Sequence, residues 1–265
     1  MQQPAAITTD LLLQQDTAGA RIITLNRPQQ RNALSDELIA DLHRAIVDAD
    51  KDPAVRVLII AGNGPGFCAG HDLHEVRDKN GIDDFRDLFA RCSEMMLAIT
   101  NISKPVIAAV HGIATAAGCQ LVCSCDLAVA SEEAKFATPG VHIGLFCSTP
   151  MVALSRKVGR NTAMKMLLTG EAINAHDAVA ADLINEVVAA DHLMPRCLEL
   201  AALIAAKSPL TLAIGKEAFY KQCTMEIGDA YQYASEVMAQ NMLKKDAQEG
   251  ITAFVEKRPP KWSGE

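Results

Sequence analysis

The sequence predicts an α/β fold, and two observations carry that prediction. Continuous apolar runs bounded by turn residues alternate with amphipathic stretches through the first two-thirds of the chain, and nearly everything beyond about Pro150 carries helical patterning. Unbroken apolar runs of this kind suit parallel strands buried on both faces. The chain has 265 residues and is 49% hydrophobic. A chain of that size hides roughly three-quarters of the surface its unfolded form exposes, so one large core is available and disorder is excluded.

The elements follow in order. Leu11-Leu12-Leu13 and Arg21-Ile22-Ile23-Thr24-Leu25 read as strands separated by a turn around Gly19, and Asn26-Arg27-Pro28 ends the second. Ser35 is a helix N-cap with Asp36 and Glu37 in the first turn, and Leu38, Leu42, Ile46 and Ala49 follow at helical spacing. Val55 to Ala61 is an apolar strand running into Gly62-Asn63-Gly64-Pro65-Gly66-Phe67-Cys68-Ala69-Gly70. Asp83 to Ile102 reads as a long helix stopped by Lys104-Pro105, and Val106 to Val110 as a buried strand. His111-Gly112 then leads to a helix start of small residues, Ala114 to Gly118, and Asp126 to Ala130 is another buried strand. A short strand at Asn185 to Val188 interrupts the helical remainder.

Charge and cysteine usage bound the partners. Lys and Arg number 25 against 32 Asp and Glu, a net charge of −7, with no basic block. That balance argues against nucleic acid and anionic membranes as ligands. No run approaches the 18 or so apolar residues of a membrane span. Met1 to Ala6 lacks the pattern of a secretion signal or an Arg-rich presequence, and the eight scattered cysteines suit reduced buried thiols. Together these features lead us to expect a cytosolic protein.

Two loops carry candidate chemistry. In the first, Ala69-Gly70-His71-Asp72 is small enough for a ligand to approach main-chain N–H groups, although by itself the stretch is explained more simply as a tight strand-to-helix loop. It is neither a dinucleotide fingerprint nor a P-loop, because Phe67 replaces the third glycine and no Gly-Lys-Ser/Thr follows. In the second, Gly112 to Cys119 places tiny side chains at a helix start, where N–H groups and the positive dipole end are exposed. Close packing of helix on sheet is the other explanation. N–H groups from both loops converging on one oxygen would make an oxyanion hole. Cys119, Cys123 and Cys125 lack paired C-x-x-C spacing and His71 and His74 lack H-E-x-x-H, so no metal is expected.

The motifs Leu25-Asn26-Arg27-Pro28, Arg31-Asn32-Ala33-Leu34, Phe67 to Leu73, Pro105 to Gly112, Ala116 to Gln120, Cys125-Asp126 and Glu249 to Arg258 resemble the crotonase (enoyl-CoA hydratase/isomerase) superfamily in order and over nearly the whole chain. Ala114 to Leu121, Phe136 to Val141 and Gly144 to Pro150 are most similar to one branch of it. The resemblance implies a crotonase-like spiral of ββα units over residues 1–200 and a helical trimerisation region over 201–265, assembled as a homotrimer or dimer of trimers. It implies an acyl-CoA thioester as ligand, no further cofactor, and a thioester oxygen held by the N–H groups of His71 and Ala117. CoA would lie along Arg31 to Ala33 and Ala69 to Leu73, including His71 and Asp72, with Phe254 and Lys257 of a neighbouring subunit near its adenosine end. Hydratases of the family use two glutamates; Gln120 and Gly140 stand at those positions. An amide orients water but cannot accept its proton, and glycine supplies nothing. Ser148, where some relatives carry an acid, is a proton-relay candidate or a helix N-cap, and Asp72 suits a cap better than a base. The expected activity is that of a hydratase/isomerase-like lyase in fatty acid metabolism, or else acyl-CoA binding without turnover.

Overall fold

The structure, a computed structural model, describes residues 10–265, so the expectation placed on Met1 to Ala6 lies outside the described residues. Strands β1 (Leu12–Thr17) and β2 (Ala20–Leu25) form an antiparallel hairpin. Its two-residue turn, Ala18 and Gly19, has positive φ at both positions (47° and 82°), the geometry that matches strand twist. Helix α1 (Asp36–Lys51) starts where Ser35 Oγ accepts the Leu38 N–H at 3.2 Å. It buries Leu38, Leu42, Ile46 and Ala49, the predicted face.

There follow β3 (Val57–Gly62), β4 (Gly66–Cys68), α2 (Leu73–Asp78), α3 (Ile82–Asn101), β5 (Val106–Val110), β6 (Ile113–Thr115), α4 (Ala117–Ser124), β7 (Leu127–Ser131) and β8 (Lys135–Ala137). The remainder is α5 (Pro150–Leu154), α6 (Arg160–Thr169), β9 (Ile173–Asn174), α7 (Ala175–Ala180), β10 (Glu186–Val188), α8 (Leu193–Ala205), α9 (Pro209–Gln222), α10 (Ile227–Met242) and α11 (Lys245–Val255).

Two sheets result. The larger runs β1-β2-β3-β5-β7-β10, parallel except for β1, and the smaller runs β4-β6-β8-β9. Each successive pair (β3 with β4, β5 with β6, β7 with β8) gives one strand to each sheet before the chain turns into a helix or loop. This is the expected winding of ββα units. Along the large sheet alternate residues face opposite ways. Ile23, Leu58, Ile60, Val106 and Ala108 join the core beneath α1, α3 and α4. Ile22, Val57, Ile59, Ile107 and Val129 meet Leu193, Cys197 and Ala201 of α8.

The predicted helix start at Ala114 is displaced. Ile113 to Thr115 is the strand β6, paired parallel with β4 and β8, and α4 begins only at Ala117. A three-residue strand is too short to show a period in sequence, and its partners lie 22 to 47 positions away. Beyond the sheets, α9 is anchored by Lys216 Nζ and Tyr220 Oη, which bond the Asp126 carboxylate at 2.7 and 2.8 Å. The last residues fold back: Trp262 Nε1 donates to the Ala206 carbonyl at 2.8 Å, and Asp246 accepts from the Ser208 hydroxyl and the Ser263 N–H. Among the described residues no single helix is long and apolar enough to cross a membrane.

Candidate functional site

Asn32 builds the floor of the site. Fully buried, its Nδ2 donates to the carbonyls of Asn63, Gly66 and Phe67 at 2.8–3.1 Å while Oδ1 accepts the Arg27 N–H at 2.8 Å. This ties the loop before α1 to the glycine-rich loop. The two then run side by side, with Ala69 N–H on the Arg31 carbonyl at 3.0 Å, Leu34 N–H on Gly70 at 2.7 Å and Asp72 N–H on Leu34 at 3.0 Å. The last two bonds make a parallel bridge between Leu34 and His71. In such a bridge the flanking residues supply the bonds, so the N–H of His71 itself points the other way, away from Leu34.

What lies nearby is the start of α4. Gly70, at φ 90°, approaches so closely that a β-carbon there would stand 2.9 Å from Ala116 Cβ and 3.4 Å from Ala117 N. Ala116 has φ 49° and ψ −118°, a conformation that L-residues disfavour, and Ala117 is the first helical residue, whose N–H has no partner within a helix. Gly118 packs main chain on main chain, since a β-carbon there would fall 2.1 Å from the Cys68 carbonyl. The close-packing explanation and the free N–H explanation therefore hold for the same segment. Among the described residues no carbonyl accepts from the His71 or Ala117 N–H.

Several side chains in these segments are uncharged, although Asp36 and Lys79 act electrostatically on His71. Burial pushes the His71 imidazole down to about 4, so it is neutral at pH 7; it meets Phe89 edge to face at 5.6 Å, with both ring nitrogens unpartnered. Gln120 is 5% exposed and its Oε1 is buried without a partner. At Gly140 a β-carbon would lie 2.6 Å from the Leu145 carbonyl and 3.0 Å from Cys147 Sγ, so the backbone leaves no room for a side chain. Burial raises the Cys147 thiol, and Cys119, hydrogen-bonded to Cys123, is also held well above its ordinary value. Seven of the eight cysteines are buried and all are free, as their scattered placement suggested.

Asp72 is a cap: Oδ1 accepts the His74 N–H at 3.0 Å and Oδ2 the Arg27 guanidinium at 2.9 Å. Burial opposes ionisation, but these bonds outweigh it and hold the carboxyl below its usual range. Ser148 is exposed and its hydroxyl bonds the Phe146 carbonyl at 3.3 Å, while Thr149 occupies the N-cap of α5. Leu73 is 54% exposed at the start of α2, and Phe254 and Lys257 are exposed at the end of α11. Arg31 is exposed beside buried Ala33. Arg27, Asn32 and Thr138 were not singled out as site residues. Thr138, fully buried with an unpartnered Oγ1, follows Ala137, whose carbonyl accepts the Ala116 N–H. No short-range pattern marks such residues, because Arg27 and Asn32 reach partners distant in sequence and the Thr138 hydroxyl has none.

Fold and site together define a twin-sheet α/β protein that presents unpaired main-chain donors where a tight loop meets the start of a buried helix. The chain belongs to the enoyl-CoA hydratase/isomerase family, whose profile matches residues 15–265. The branch is also the expected one: a Xenopus laevis protein named enoyl-CoA hydratase domain-containing protein 3, mitochondrial, is 47% identical over 255 residues, covering 96% of this chain and 87% of that protein. A Pongo abelii mitochondrial enoyl-CoA hydratase is 35% identical over 89% of this chain and 81% of its own length. The crystal structure of human enoyl-CoA hydratase domain-containing protein 3 superposes with TM-score 0.92 at 44% identity, over 95% of this chain and all of that one. A Mycobacterium smegmatis enoyl-CoA hydratase gives TM-score 0.93 at 49% identity over 95% and 98%. The crotonase-like fold is thereby established.

One expectation is overturned. The relatives of this branch carry names that place them in mitochondria, against the cytosolic assignment drawn from sequence. The physical reason is that buried free thiols report how cysteines pack, not which compartment surrounds them.

Proposed function

We propose that this protein binds an acyl-CoA thioester with its carbonyl oxygen between the N–H groups of His71 and Ala117, and stabilises the enolate that forms when the thioester reacts. The observation that carries this reading is the pair of unpaired main-chain donors on adjoining loops. One well-placed donor of this kind contributes about 3 kcal/mol to a transition state. Neutral His71 and uncharged Gln120 add no charge of their own to the field of those dipoles. CoA would follow the paired segments Arg31 to Ala33 and Ala69 to Leu73. Exposed Tyr231, Met238, Phe254 and Val255 on α10 and α11 favour a homotrimer or dimer of trimers in which Phe254 and Lys257 serve a neighbour's site.

Water addition is a separate matter. Each general acid–base group contributes typically 10²–10⁴ in rate. Gln120 cannot accept a proton, and no carboxylate fits at Gly140 without moving the Leu145 carbonyl. Ser148, tied to Phe146, is a weak relay at best. The same obstruction favours, as a second reading, an acyl-CoA-binding protein with little turnover. The test joins two measurements. Bound crotonyl-CoA with a ¹³C carbonyl should show its stretching band shifted to lower frequency, while hydration should run at least about 10⁴-fold below that of a two-glutamate hydratase. A bound ester with an unshifted carbonyl band overturns the binding mode. Rapid hydration overturns the account of the missing acids.

A further inference from the structure

Arg27 stands at the far end of a hydrogen-bonded line that finishes at one of the two donors. Its Nη1 donates to the Ala33 carbonyl, and the N–H of that same peptide unit, on Leu34, donates to the Gly70 carbonyl at 2.7 Å. The Gly70 carbonyl in turn shares its peptide unit with the His71 N–H. Among the described residues no peptide bond is cis, so in each unit the C=O and the N–H point opposite ways. The order along the line is guanidinium, Ala33–Leu34 peptide, Gly70–His71 peptide, His71 N–H. Nη2 fixes the other side, bonding Asp72 Oδ2 at 2.9 Å one residue beyond the donor, while the Arg27 main-chain N–H is held by Asn32 Oδ1 at 2.8 Å. The Arg27 and Asp72 side chains are only 17% and 9% exposed, so salt and water screen this contact little.

We propose that Arg27 is a positioning residue for this site: its cation polarises two peptide units in series, aims the His71 N–H, and strengthens that group as a donor to the ligand's carbonyl oxygen. The inference rests on the thioester reading above. Hydrogen bonds joined in a chain strengthen one another by about 10–30% each, and a charged donor at one end adds to the effect. The direction is favourable, because a cation beside the Ala33 carbonyl draws electrons toward itself and leaves each N–H down the line more positive. Asp72 holds the guanidinium in the orientation from which Nη1 reaches Ala33. A planar fork serves both partners at once, whereas a lysine ammonium keeps the charge but lacks the fork.

The test reads the ¹³C carbonyl band of crotonyl-CoA bound at saturation to the wild-type chain, to Arg27→Met and to Arg27→Lys. Saturation removes any change of affinity from the reading, and a loss of stability alone leaves the band of the folded complex where it is. Arg27→Met should give back at least about a fifth of the wild-type shift, and Arg27→Lys should lie between the two. A wild-type band in Arg27→Met, or an Arg27→Lys band no closer to wild type than that of Arg27→Met, overturns the proposal. If Arg27→Met does not fold, Arg27→Lys decides: a partial loss of shift supports the proposal and an unchanged band overturns it. A wild-type complex with no shift is a failure of the thioester reading itself, a different outcome from variants that match a shifted wild type.

Discussion

Asn32 makes four hydrogen bonds with one amide; the three that its Nδ2 donates cross to a loop from a distant part of the chain, and the fourth, from the Arg27 N–H, closes its own loop. Asn32→Ala leaves three buried or part-buried carbonyls without a donor, and urea unfolding should report a loss of about 3 kcal/mol. Gly70→Ala places a β-carbon against Ala116 at φ 90°, so acyl-CoA affinity should fall well before the fold is lost; calorimetry alongside circular dichroism separates the two. His71 adds a pH signature. Its ring is held neutral down to about 4 by burial, whereas the unfolded chain takes a proton near 6.5. The unfolded state thus binds more protons across that window, and stability should fall as pH drops from about 6.5 to 4, by up to about 3 kcal/mol for this residue. His71→Phe, which keeps the main-chain N–H, should flatten that slope in urea titrations at pH 7, 5.5 and 4.5. The small residues of both loops were visible in the sequence. That Asn32 clamps them, or that Gln120 keeps an unpaired oxygen, was not, because those facts depend on contacts 30 or more positions away or on contacts that fail to form.

At the scale of elements, legibility tracked length and local chemistry. Helix α1 declared itself through Ser35, two acids and a buried stripe, and Ser35→Ala should cost about 1 kcal/mol through the lost cap. The long helix predicted from Asp83 is α3, beginning one residue earlier, and the strand expected from Asn185 is β10. The smaller sheet stayed hidden. β4, β6, β8 and β9 have two or three residues each, form by pairing across the spiral, and leave no period that a window could register. The displaced helix start at Ala114 belongs to the same cause. Yet this hidden sheet sets the distance between Gly70 and Ala117, since β4 and β6 are hydrogen-bonded neighbours that feed the two loops.

For the whole molecule, the chain end is part of the construction. Asp246 is buried and accepts from Ser208, Ser263 and Gly264, and burial, which resists its ionisation, is outweighed by those bonds. Asp246→Ala should release the segment after Pro259 and expose it to limited proteolysis, read by mass spectrometry, before global unfolding changes. Overall architecture was legible because winding and motif order extend over nearly the entire chain, as the family match over residues 15–265 and the superposed crystal structures bear out. Compartment was not, because charge balance and cysteine packing do not report where a fold resides.

The crowding at Gly140 has an engineering consequence. On the function proposed above, adding the two carboxylates by substitution alone would not make this scaffold an efficient water-adding catalyst, since a side chain at Gly140 has nowhere to stand until the Leu145 peptide is rebuilt. Redesign has to begin with the loop's path, and only then with its chemistry.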